Sequence, residues 1–229
     1  MAKSTLIVGA GRGLSASLAN CFAGAGMKIV LAARDPDKLS ALCAETGATA
    51  IACDVAQAED VDRLFAATEQ TGDTLDAVVY NPSARVRGRF VDLDPTAVAN
   101  VINITAYGGF LVGQRAAQRM LQQGHGAILF TGASASVKGY AQSAPFAMGK
   151  FALRGLAQSM ARELAPHNIH VAHFVIDGGI LSARKPPAVN ADDSLLDPDA
   201  VAQSYLHVLQ QHRSAWTWEV ELRPWTESF

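Results

Sequence analysis

Val8-Gly9-Ala10-Gly11-Arg12-Gly13-Leu14-Ser15 is the stretch whose reading decides the fold. It grows out of a short apolar run, Leu6-Ile7-Val8, and leads into a segment, Ser15 to Ala23, that reads as helix. A strand, a glycine turn and a helix in that order form a phosphate cradle. The first N–H groups of a helix lack partners inside it, and the helix dipole favours negative charge there. Glycines let the backbone turn tightly and approach a pyrophosphate closely. Three glycines alone would also suit a plain strand-to-helix turn with no ligand. Their weight comes from their place near the start of a chain that goes on to alternate strands and helices.

That alternation is regular. Lys28 to Ala33 reads as a second strand, and Asp35-Pro36 opens a helix that ends near Gly47. Ala48 to Cys53 is a third strand, closed by Asp54-Val55, with a helix from about Ala58 to Thr71 behind it. Asp76 to Tyr80 forms a fourth strand ending at Asn81-Pro82-Ser83. Asp94-Pro95 repeats the helix-start signal for a helix running to about Gln123. Gly126 to Thr131, a helix over Ala144 to Leu164, and His170 to Ile176 follow. Near the end, Trp216, Val220 and Leu222 alternate with Thr217, Glu219 and Glu221, a period of two that marks a seventh strand with one buried face. Strands alternating with helices imply a parallel sheet covered on both faces. The expectation is an α/β, doubly wound, Rossmann-type fold with a seven-stranded parallel sheet, as a single domain over residues 1–229. In such a sheet, ligands sit beyond the carboxyl ends of the strands. Residues 181–197, after the sixth strand, are expected to cover the substrate.

Bulk properties exclude several classes. The chain has 229 residues, of which 49% are hydrophobic, enough for a sizeable core. A net charge of −2 gives no basic surface for nucleic acid or an anionic membrane. No apolar run reads as long enough to span a bilayer, and no signal peptide is evident. Cys21, Cys43 and Cys53 lie in apolar contexts without metal spacing and read as buried free thiols. The histidines are scattered, with no metal pattern. A cytoplasmic protein acting on a small molecule is expected.

At this point the chain resembles the short-chain dehydrogenase/reductase family over nearly its whole length. Gly9 and Gly13 match the family's G-x-x-x-G-x-G turn, with Ser15 in place of the last glycine. Asp54-Val55 matches the pair that usually holds adenine. Tyr80-Asn81-Pro82-Ser83 stands where the family has Asn-Asn-Ala-Gly, and Asp177-Gly178 where it has Pro-Gly, with Ser182 where it often has Thr. The resemblance implies a nicotinamide cofactor held by Gly9, Gly11, Arg12, Gly13, Leu14, Arg34, Asp54, Val55, Asn81, Lys150, Gly178 and Ile180. It also implies a homodimer or homotetramer, in line with small and apolar residues such as Ala116, Ala117, Ala157 and Ala161 on more than one helix face. An enzyme choosing NAD places an acidic residue at the end of the second strand. Here Ala33 stands there, followed by Arg34, with Arg12 in the glycine turn. Two guanidinium groups suit a 2′-phosphate, so NADP is favoured over NAD. The competing reading makes Arg34 a solvated residue paired with Asp35 or Asp37.

The family's catalytic residues are where the sequence departs. Lys150 is present, but the tyrosine position four residues earlier is Phe146. The serine position is Ala133, with Ser134 beside it, and the asparagine position is Thr105, with Asn103 nearby. Phe146 has no proton to give, and losing a general acid typically costs a factor of about 10² to 10⁴. Phe146 reads as an ordinary core aromatic on the face of Leu153, Leu156 and Met160. Lys150, in apolar surroundings, is expected to hold the cofactor ribose. Ser134, Tyr140, Ser143 and Tyr107 are the candidate replacement donors. Three functional readings follow: an NADP-dependent oxidoreductase of small carbonyl compounds or alcohols with an altered site; a non-catalytic NADP-binding sensor or inactive oligomer partner; and an enzyme taking its proton from water or substrate, as in reduction of an activated double bond.

Overall fold

All seven strands run parallel in one sheet, in the order β3-β2-β1-β4-β5-β6-β7. They are β1 Lys3–Val8, β2 Lys28–Ala33, β3 Thr49–Ala52, β4 Thr74–Tyr80, β5 Gly126–Thr131, β6 Ile169–Ile176 and β7 Glu219–Leu222. This is a computed structural model, and it describes residues 3–70, 73–182 and 193–227. The chain starts in the middle of the sheet, winds out to β3, then returns to lay β4 on the other side of β1. The order reverses between β1 and β4, and a crevice opens at their carboxyl ends.

The strands bury both faces, which is why they read as continuous apolar runs rather than as alternation. Leu6 and Val8 point to one side with Val78, Tyr80, Ile128 and Phe130, beneath α3 (Ala58–Glu69), α5 (Gly108–Gln123) and α6 (Ala144–Leu164). Ile7, Val79, Leu129 and Phe174 point to the other side, beneath α1 (Leu14–Gly24) and α7 (Pro198–Leu209). The short α2, Ser40–Thr46, follows a 3₁₀ turn over Pro36–Leu39 and ends at Gly47.

Three elements, and the burial of the cysteines, differ from the sequence reading. Helix α7 is unforeseen, although Asp197-Pro198 repeats the start signal of Asp94-Pro95. Both aspartates cap their helices, Asp197 accepting from the N–H groups of Asp199 (2.7 Å) and Ala200 (3.2 Å). The segment from Pro95 to Gln123 is one helix of 29 residues, but it splits into α4 (Pro95–Ile102) and α5 around a π-turn at Asn103–Tyr107. It is also the one described helix with the length and apolar composition of a bilayer span. Its apolar residues Val101, Val112, Ala116 and Met120 are buried in the core against the sheet. Strand β7 begins only at Glu219, and Glu219 is half-buried rather than solvated. Of the cysteines, Cys53 alone is fully buried; Cys21 and Cys43 are half-buried, and all three are free.

The alanines expected to mark an assembly face do not. Ala116 and Ala157 lie in the protein's own core, and Ala117 and Ala161 pack against it. Tyr107, Phe110, Met148 and Phe151 are large apolar side chains left exposed, as is Leu121 further along α5.

Candidate functional site

The glycine turn folds as its residues require. Gly9 takes φ +78°, and a side chain there would strike Pro82 at 2.7 Å, so only glycine admits the close pass of β1's turn against β4's. Ser15, standing for the third glycine, is buried and ties the two turns together. Its hydroxyl donates to the Gly9 carbonyl (3.1 Å) and accepts from the Asn81 amide (2.7 Å), while the Asn81 N–H donates to the Val8 carbonyl (3.0 Å).

Above this knot the site is open. No atom lies within 4 Å of where a side chain would begin on Gly11 or Gly13. Helix α1 starts with no capping side chain and no acidic residue in its first turn; of its leading N–H groups, that of Ala16 donates to the Gly13 carbonyl (2.8 Å). These features fit a pyrophosphate. Arg12 and Arg34 are exposed, and neither makes a hydrogen bond or ion pair among the described residues. Asp35, one of the two partners the competing reading gave Arg34, is held instead by Lys38 at 2.6 Å, and that ammonium keeps its carboxyl below the usual range. At the end of β3, the Asp54 carboxylate accepts from the Ala56 N–H (3.0 Å), closing a turn that leads past Val55 into α3.

Beyond the strand ends lies a cleft of about 830 Å³. Of the residues expected at a cofactor, Leu14, Asn81, Lys150, Gly178 and Ile180 line it; so do Ala133, Ser134 and Phe146, the positions expected to matter for catalysis. Tyr140 and Ser143 also line it. Tyr107 does not: it stands exposed on the π-turn, stacked on Phe110. Asn103 is likewise exposed, while Thr105 is buried and its hydroxyl accepts from the Ala84 N–H at 3.4 Å. The π-turn has a second tie, the buried Tyr80 hydroxyl donating to the Ile104 carbonyl. The sequence placed Phe146 with Leu153, Leu156 and Met160. The structure instead gathers it with Ala133 and Ala135 in a separate cluster at the cleft, with the guanidinium of Arg85 over its ring, 3.9 Å from Cζ to centroid. Leu153, two turns further along the same face of α6, lies in the main core.

Lys150 is no surface lysine. It is 2% exposed, and its ammonium donates to the Thr131 carbonyl at 2.6 Å, 6.0 Å from the Phe146 ring centroid. Burial, and secondarily the charge of Arg85, push its pKa down to about 7.

A layer of buried polar groups beneath the cleft has no counterpart in the sequence reading. His173, on β6, is fully buried. Its Nδ1 donates to the Glu219 carboxylate (3.1 Å), and its Nε2 makes no hydrogen bond and lies against Gly132, where any side chain would collide with it. Arg154, one helical turn after Lys150, grips both Glu219 oxygens at 2.6 and 2.8 Å. Burial would raise the Glu219 carboxyl, but Arg154 and His173 outweigh it and hold it below its usual range. Burial pushes His173 down to about 4 despite Glu219, so its ring is neutral near pH 7. Asp177, at the end of β6, is paired with Lys138 (3.1 Å) and Arg223 (2.9 Å). The period-two pattern could have flagged Glu219 only as a solvent-facing residue, because nothing local reveals that Arg154 stands opposite.

Comparison with known proteins agrees with this architecture. The family model described as short chain dehydrogenase matches residues 3–187. The chain belongs to the short-chain dehydrogenase family. An uncharacterized oxidoreductase of Staphylococcus aureus is 26% identical over 228 residues, covering 97% of each chain. A 3-oxoacyl-[acyl-carrier-protein] reductase of Mycobacterium bovis is 29% identical over 79% of this chain and 70% of its own. Among solved structures, a short-chain dehydrogenase from Rhodopseudomonas palustris superposes with a TM-score of 0.85 at 34% identity, covering 97% of this chain and 99% of its own. In this short-chain dehydrogenase, Phe146 and Ala133 stand at the cleft where the sequence reading expected a tyrosine and a serine, and neither side chain carries a hydroxyl group.

Proposed function

We propose that this short-chain dehydrogenase is an NADP-dependent oxidoreductase acting on a small carbonyl compound or the corresponding alcohol, through a site altered at Phe146 and Ala133. The observation that carries the cofactor choice is the pair of unpartnered guanidinium groups, Arg12 and Arg34, beside an open glycine turn with no acidic residue at Ala33. The uncapped start of α1, with Gly11 and Gly13, would hold the pyrophosphate; Arg12 and Arg34 would grip the 2′-phosphate; Asp54-Val55 and Asn81 would flank the adenosine. When bound, NADP supplies or accepts the hydride. Lys150, fixed by Thr131, would hold the ribose near the cleft. Residues 1–229 act as one domain in this reading, with 181–197 covering the substrate. Residues 183–192 lie outside the described residues. The flanking backbone supports the idea, since Ile180 and Leu196 form a bridge that closes the base of that loop beside the cleft. The exposed Tyr107, Phe110, Met148 and Phe151 support a homodimer or homotetramer.

Phe146 and Ala133 also support a second reading, a protein that binds NADP without turning over substrate. Fluorescence titration with both cofactors tests the part common to the two. NADPH should bind at least tenfold more tightly than NADH, a difference of about 1.4 kcal/mol that one charge-assisted contact supplies. Arg34→Ala should erase most of that difference without weakening NADH. Equal affinities in the wild type would overturn the assignment.

A further inference from the structure

The loop after β4 brings two arginines into the cleft. Arg85 and Arg87 both line it, and neither makes a hydrogen bond or ion pair among the described residues. Their neighbour Arg89 is different: it pairs with Asp92. The loop is pinned on both sides of the two arginines, by the Ala84 N–H on the Thr105 hydroxyl (3.4 Å) and by the Gly88 N–H on the Gln142 carbonyl (3.2 Å). Arg85 is exposed, yet its side chain turns back over the protein. Its guanidinium lies on the Phe146 ring at 3.9 Å. Held there, its N–H donors have no hydrogen-bond partner among the described residues, and a guanidinium's fork of donors suits a planar two-oxygen acceptor.

The cleft's charge is also unbalanced. The acidic groups lining it are Asp177 and Glu227, and Asp177 is already paired with Lys138 and Arg223. Against Glu227 stand Arg85, Arg87 and the buried Lys150. These cations disfavour one another: Arg87 adds to burial in lowering Arg85, and Arg85 adds to burial in lowering Lys150. An anion placed among them relieves all three.

We propose that the cleft selects substrates carrying a carboxylate next to the reacting carbonyl or alcohol carbon, the 2-oxo acid and 2-hydroxy acid class, with Arg85 gripping the carboxylate and Arg87 supporting it. The proposal rests on the oxidoreductase reading above. The short distance between carboxylate and carbonyl follows from Arg85 lying on Phe146, the residue at the family's proton-donor position. Phe146 thereby has a role of its own, as the platform that orients the guanidinium.

The test is equilibrium binding, which needs no turnover. Calorimetric titration of the NADP⁺-loaded protein uses pyruvate and its neutral methyl ester as probes. Pyruvate should bind at least tenfold more tightly, with an affinity that falls as salt rises. In Arg85→Gln that preference should collapse to within about twofold, while the ester's affinity and the NADPH affinity stay unchanged. Equal binding of acid and ester by the wild type overturns the proposal, whatever the variant does. So does a preference that survives in Arg85→Gln. Failure of the oxidoreductase reading looks different: no carbonyl compound, charged or neutral, would then oxidise NADPH, while the acid could still outbind the ester.

Discussion

On the proposed reading, adding a hydroxyl group at Phe146 and another at Ala133 should raise the rate of carbonyl reduction. Phe146→Tyr and Ala133→Ser place them on neighbouring side chains, since Phe146 and Ala133 share one cluster at the cleft. The charge around the new phenol can be estimated. The Lys150 ammonium is 6.0 Å from the Phe146 ring centroid. At an effective dielectric of ~20, one charge at that range is worth about 2.8 kcal/mol, or roughly two pK units. A phenol near its ordinary 10 would therefore be drawn toward about 8 while Lys150 is charged, with Arg85 pulling the same way and burial opposing. A general acid in that range typically contributes about 10² to 10⁴ in rate, and a pocket not selected for it should realise about ten- to a thousandfold. Because Lys150 loses its proton near pH 7, the gain should be larger at pH 6 than at pH 8. Phe146→Tyr alone should gain less, because a substrate that is not held in place wastes the donor. The assay is NADPH oxidation with a panel of ketones, aldehydes and oxo acids, for wild type, single and double variants, each checked for NADPH affinity. A double variant that binds NADPH normally and gains nothing would refute the reasoning and favour the non-catalytic reading. A wild type already fast on the panel would point to Ser134 or Tyr140 as donor, both of which line the cleft.

The polar layer beneath the cleft predicts acid sensitivity. His173 has a pKa of about 4 in the fold against about 6.5 unfolded, so between those values the unfolded chain binds a proton that the folded one does not. Its contribution is complete above about pH 6.5 and is lost as the pH falls toward 4, about 3 kcal/mol in all. Urea melts of wild type and His173→Gln from pH 7.5 to 4.5 should show a clearly shallower decline for the variant; parallel curves would count against a neutral buried ring. Light scattering should find a homodimer or homotetramer at micromolar concentration, and Phe151→Glu with Met148→Glu should shift it toward monomer if the exposed outer face of α6 carries the contact. A wild-type monomer would remove that face from consideration.

Much of this molecule is written in local patterns. The apolar runs, the Asp-Pro helix starts and the glycine punctuation are properties of a few neighbouring residues, so the order of strands and helices and the parallel sheet could be read directly. The glycine turn was legible for the same reason, and so was the apolar setting that buries Lys150. The start of α7 is equally local, since its Asp197-Pro198 matches Asp94-Pro95. What only the tertiary structure decided is which side chains meet. Arg85 reaches Phe146 because β4 and β5 lie side by side and the turns beyond them face one cleft. Glu219 leaves solvent because β7 pairs in register with β6, setting it beside His173 and under Arg154 of the helix above. Phe146 leaves the main core for the cleft because the position of α6 over the sheet, rather than its helical period, sets which of its turns lies beyond the strand ends. Such pairings depend on strand order and register, which arise only when distant segments pack, and no window of neighbouring residues contains them.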